Sequence, residues 1–183
     1  MKKIFAIAAM ALMTLTASAQ KIGRVSFNEL YLLAPEADAV REQLNAMQKE
    51  AVETLTSMQE EAQTKYSQYQ QKASTWTAAI KEAKEKELTD ISNRIQEFQQ
   101  TISMELQQKE AELYNPIIEK ARKTVQDLAK AQGVVAVFDS SSAIYFDDNG
   151  VVDLTPAARK ALGIKDGRTL EQLQQELQAA QAQ

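Results

Sequence analysis

The chain has 183 residues, with 21 Lys and Arg against 25 Asp and Glu, a net charge of −4, and neither His nor Cys. Without imidazole or thiol it lacks the most common general base, the most common transition-metal ligand and the thiol nucleophile, which argues against an exported hydrolase and against any enzyme. The acidic balance disfavours nucleic acid, which is held by clustered Lys and Arg, and no disulfide can form, so helix packing, sheet pairing or oligomerisation must stabilise the fold.

Residues 1–19 read as a secretory signal. Lys2 and Lys3 precede an apolar run from Ile4 to about Leu15, and Ala17-Ser18-Ala19 supplies a small-x-small cleavage site. The run is too short to span a bilayer, no later segment qualifies, and a soluble periplasmic chain beginning at Gln20 is expected. Removal of the signal leaves 19 bases against 25 acids.

Lys21 to Phe27 reads as a short strand with Ile22, Val25 and Phe27 as its apolar residues, and Asn28 is expected to cap a helical turn from Glu29 to Leu33. Pro35 suits a helix start. From there to Gln132 the chain has no glycine and one internal proline, and its apolar residues recur every eleven positions. Leu44, Leu55 and Tyr66 form one row, Met47, Met58 and Tyr69 a second, and Ala51, Ala62 and Ala73 a third. Ile95, Leu106, Ile117 and Leu128 form another, beside Ile91, Ile102 and Leu113. Eleven residues in three turns give a nearly straight seam rather than a heptad supercoil.

Such a stripe needs a partner, and the hydroxyl-rich break Ser74-Thr75-Trp76-Thr77 predicts a reversal within residues 73–82. An antiparallel hairpin follows, with arms of about 38 residues reaching about 57 Å. Asn115-Pro116 inside the returning helix predicts a kink or loosened joint, and Gly133 a helix stop.

Three β-favouring runs come next: Val134 to Phe138, Ala143 to Phe146 and Val151 to Asp153. Ser140-Ser141-Ser142 has no histidine to serve it and reads as a turn. Asp147-Asp148-Asn149-Gly150 lacks the spacing of a calcium loop and reads as a hairpin turn, so no metal or other cofactor is expected. Thr155-Pro156 opens a small helix ending near Gly163. A sheet this small calls for neighbouring copies to cover its edges. The Gln-rich tail, residues 165–183, has a capping box at Thr169 and Gln172 but a weak stripe, so it is either helical or disordered.

The expected class is thus α+β: a long antiparallel helical hairpin, residues 36–115, on a β-containing body built from residues 20–35 and 116–164. Paired carboxylates such as Glu60-Glu61 and Glu85 with Glu87, interleaved with Lys81, Lys84 and Lys86, read as a solvated helix face. Met58, Tyr66, Tyr69, Trp76, Ile80, Phe98 and Ile102 either seal the hairpin seam or meet another molecule. Trp76, beside the tip, is the strongest candidate for an exposed contact.

In this order the segments resemble the Skp/OmpH family of periplasmic chaperones. The resemblance is carried by Ile22 to Phe27, Asn115-Pro116-Ile117-Ile118-Glu119-Lys120-Ala121, Gly133 to Asp139, Ala143-Ile144-Tyr145-Phe146 and Val152-Asp153-Leu154-Thr155, and spans about Lys21 to Ile164. It implies a homotrimer whose short strands form one β body, with Ile22, Val25, Phe27, Val135, Val137, Phe138, Ile144 and Tyr145 in the trimerisation body. Helical arms, hinged at Asn115 and Pro116, would surround a cavity that holds unfolded outer-membrane proteins without ATP. No GxxxxGK[ST] nucleotide loop is present. The best-known members have basic arms. Residues 40–115 here carry 9 Lys or Arg against 13 Asp or Glu, so lipopolysaccharide or membrane-surface binding by the arms is not carried over. The competing expectation is an envelope coiled-coil adaptor or spacer that binds one structured partner.

Overall fold

The computed structural model describes residues 21–181, so the expected signal segment lies outside them. Strand β1 (Lys21–Val25) leads into helix α1 (Phe27–Leu32), and helix α2 (Pro35–Lys72) follows with Pro35 in its first turn. A 3-10 turn, Ala73–Thr75, and an extended Trp76 reverse the chain inside the predicted window. Thr77 then caps helix α3 (Ala78–Ala131), its side-chain oxygen accepting the Ile80 N–H at 3.4 Å. At 1.5 Å per residue, α2 with 38 residues and α3 with 54 extend about 57 and 81 Å.

Strand β2 (Val134–Asp139) starts after Gly133, whose φ of +67° is the left-handed conformation that ends α3. Strand β3 (Val151–Asp153), helix α4 (Thr155–Ala161) and helix α5 (Leu170–Gln181) complete the order. The three strands form one sheet, β2-β1-β3, in which both pairings are parallel. The whole arm is therefore the crossover between β1 and β2.

Helix α1 begins at Phe27 rather than at Glu29, and Asn28 does not cap it. The decisive acceptor comes from far along the chain, since the Asp139 carboxylate takes the Phe27 N–H at 3.1 Å. The predicted strand Ala143 to Phe146 is absent: within one chain the segment pairs with neither β2 nor β3, although the outer edges of both stay open. The Asn149-Gly150 hairpin is absent as well. The residues do turn, with Gly150 N–H donating to the Asp147 carbonyl at 2.9 Å and Asn149 N–H to its carboxylate at 3.0 Å, but the flanking segments do not pair. Ser140–Ser142 is a 3-10 turn, as its composition predicts, with Ser141 N–H held by Asp139 at 2.8 Å.

One face of the sheet is packed. Val25, Val134, Leu154, Leu30, Leu33 and Ala158 form a core with Ala121, Val125 and Ala129 from the end of α3. Central Gly23 leaves room for this packing, because a Cβ there would come within 3.0 Å of Val134 and 3.4 Å of Leu154. The other face is bare. Parallel register places Ile22 beside Ala136 and Val151, and Arg24 beside Phe138 and Asp153, and Ile22 and Phe138 stand 40% and 48% exposed there. Parallel sheets are normally covered on both faces, so this surface is incomplete in a single chain.

Two carboxylates tie these elements together. Burial pushes the Asp139 acid up, but hydrogen bonds from Ser141 and the Phe27 N–H outweigh it and hold its pKa below the usual value. Asp153 is likewise raised by burial and lowered further by Thr155 and Arg24, for a net depression. A depressed carboxyl pKa stabilises the fold above the unfolded value and ceases to do so as pH falls through the folded one. With no His, no side chain of ordinary pKa titrates between about pH 5.5 and 8. Thermal melts should therefore be flat over that range and fall steeply below about pH 4. A transition centred near about pH 6 contradicts this assignment.

Candidate functional site: exposed apolar surface on arm and body

The eleven-residue rows lie along the interhelical seam. Leu44, Leu55, Met47, Met58, Ala51 and Ala62 on α2, and Ile95, Leu106, Ile102 and Leu113 on α3, are half-buried, while Ile91 and Ile117 are buried. At the arm root Ala34, Ala37, Val40 and Ile117 form a small core of their own. Between Val40 and Ile117, Ile91 is the one buried apolar side chain among the described residues, so the arm beyond its root is a two-helix rod with no globular cover.

Ion pairs set the register of the rod. Glu61 meets Arg94 at 3.5 Å, Lys65 meets Glu87 at 3.5 Å, and Glu36 pairs with Lys120 near the root. The Lys120 hydrogen bond holds the Glu36 carboxyl below its ordinary value, and Lys84 does the same for Glu87. Exposed pairs of this kind contribute little stability each and chiefly fix alignment.

The sequence-derived arm candidates separate on this frame. Tyr66 and Ile80 are 49% and 44% exposed, whereas Met58, Tyr69, Trp76, Phe98 and Ile102 are half-buried. Trp76 sets its ring edge-on to Tyr69, with centroids 5.8 Å apart, and the Tyr69 hydroxyl donates to the Glu85 carboxylate, which raises the Tyr69 pKa. The tip is thus a partly covered aromatic pair. Val52 and Met104, exposed to 57% and 63%, are apolar arm residues that the periodic rows pass over. Their signal was there: an apolar residue off the stripe cannot seal the seam. Met104 lies in a shallow, uncharged groove with Gln96, Gln99, Gln100, Ser103 and Gln107.

Among the body candidates, Val25 is buried, Phe27 and Val137 pack against the core, and Ile22 and Phe138 lie on the bare sheet face. Val135 is 61% exposed, and Ile144 and Tyr145 stand in solvent at 109% and 78%. Beside β2 a cleft of about 490 Å³ opens between the strand and the end of α3, with Val25, Val125 and Val134 in its lining and the charged Arg122, Lys130 and Asp139 beside them. Asn115 and Pro116 sit within an uninterrupted α3, next to buried Ile117. No cluster of metal-ligating side chains is found among the described residues, nor a helix long and apolar enough to cross a membrane.

The family model for outer membrane protein (OmpH-like) matches residues 21–162, which takes in the sheet, both arm helices and α4. The chain belongs to the OmpH-like family. A crystal structure described as an OmpH-like outer membrane chaperone from Caulobacter crescentus CB15 has the same fold, with a TM-score of 0.67 at 17% identity, covering 78% of this chain and 83% of that one. No curated protein sequence matches this chain. The matched region stops before α5.

Proposed function

We propose that this OmpH-like chain is an ATP-independent periplasmic holdase, a homotrimer whose arms enclose unfolded outer-membrane proteins and keep them from aggregating. The observation that carries the reading is the pairing of an uncovered sheet face, where Ile22 and Phe138 stand exposed on either side of an Arg24–Asp153 ion pair, with a rod too slender to bury anything alone. Copies meeting through Ile22, Phe138, Val135, Ile144 and Tyr145 would cover that face and bring several arms around one space. An unfolded barrel protein exposes an apolar band and unpaired strand edges until it closes in the membrane. Helical walls give it weak apolar contacts and no strand edge on which to aggregate. Flexing at Asn115 and Pro116 would admit clients of different size, and the acidic arms would leave anionic membrane surfaces alone.

The reading is tested by mixing this protein with a labelled, urea-unfolded barrel protein and following both by size-exclusion chromatography. Co-elution with the unfolded form and not with the folded form supports it, whereas selective binding of a folded partner points to an adaptor instead. Trp76→Ala should weaken holding about fivefold, the loss of one aromatic contact worth about 1 kcal/mol, while the mass of the assembly stays unchanged. Full holding by the variant removes the tip from the binding surface.

A further inference from the structure

Helix α5 lies against the root of the arm. Its start is firmly held: Arg168 pairs with Asp38 of α2 at 2.6 Å, and the Arg168 carbonyl accepts a hydrogen bond from Arg159 at 2.6 Å. Arg159 also grips Glu29 of α1 at 2.9 Å. Thr169 and Gln172 exchange hydrogen bonds at 3.2 Å, and Leu173 is buried in the body core with Leu170 against it.

Past Leu173 the hold weakens. Gln174 to Ala180 are exposed, and Leu177, at 37%, hangs over a cleft of about 510 Å³. That cleft is lined by Leu32 of α1, by Arg41 and Leu44 of α2 and by Tyr114 of α3, two residues before Pro116. The Arg168 Nε is buried without a hydrogen-bond partner, a cost that lowers the stability of the docked state.

We propose that α5 is a detachable strap: docked, it ties both arm helices to the body beside Pro116, and released, it frees the arm to change its angle. A segment held by one buried leucine and a short polar anchor opens independently of the core behind it. The strap rests on the reading that the arm pivots at Asn115 and Pro116, but its test involves no client, so its failure is distinct from failure of the holdase role.

The chain has no Cys, so Ser74→Cys at the tip and Lys160→Cys on α4 provide unique spin-label sites in the full-length protein, diluted with unlabelled chains. Arg168→Gln and, separately, Leu173→Asp should broaden and shift the tip-to-body distance distribution. Hydrogen exchange on the unlabelled parent should find α5 amides at least about a hundredfold faster than those of Ala121 to Ala129. Should Leu173→Asp disturb the body, Arg168→Gln alone decides, since Arg168 lies outside the core. An unchanged distribution while α5 exchanges freely overturns the strap, as does α5 protection equal to that of the α3 core.

Discussion

Leu154→Ala is expected to lower unfolding stability by about 3 kcal/mol, a large share of the roughly 5–15 kcal/mol that holds an ordinary domain folded. Leu154 is fully buried and joins three elements at one point. Its N–H donates to the Arg24 carbonyl of β1 at 3.0 Å, its carbonyl accepts the Ala158 N–H of α4 at 2.9 Å, and its side chain fills the space beside Gly23. Neighbouring strand backbone cannot collapse into the void, so the cavity cost adds to the lost apolar transfer. Urea denaturation at fixed protein concentration measures the effect, because the stability of the proposed trimer would depend on concentration. Val52→Ala, on the exposed arm surface, should change stability by no more than about 0.5 kcal/mol. A similar small loss for Leu154→Ala contradicts the core described above.

If the proposed trimer forms through the exposed segment between β2 and β3, Ile144→Asp with Tyr145→Asp is expected to convert it into folded monomers. Both side chains stand in solvent in a single chain, in a β-favouring segment between β2 and β3 that has no sheet neighbour. Burying either aspartate against another copy without a partner charge costs several kcal/mol, more than a small apolar interface supplies. Sedimentation velocity should report one-chain mass with helical circular dichroism retained, and aggregation suppression should fall with it. A variant of unchanged mass removes this segment from the interface.

Much of the rod is legible in the sequence because a helix seam depends on local spacing. The rows through Leu44 and Ile95 face the partner helix, Pro35 marks a helix start, the hydroxyl-rich run Ser74 to Thr77 marks the reversal, and Gly133 and Gly163, at φ +67° and +71°, mark the ends. The errors arise where a partner distant in sequence decides. Ala143 to Phe146 has strand composition but pairs with no strand of its own chain, and the start of α1 is set by Asp139, 112 residues away. The tail stripe is weak in isolation; Leu173 acquires its burial from a surface assembled by the body and the arm root. Val52 and Met104 were open to recognition as apolar residues off the seam. The bare face of the sheet was not, since it depends on the parallel order β2-β1-β3.

Enclosure between arms is tested most directly by diluting an unfolded outer-membrane barrel protein into buffer and recording light scattering with and without this protein, alongside the mass of the complex. Suppression at one assembly of three chains per client, lost in the Ile144→Asp, Tyr145→Asp variant, is the expected result. Undiminished scattering, or equal suppression by the monomeric variant, contradicts a client held between arms.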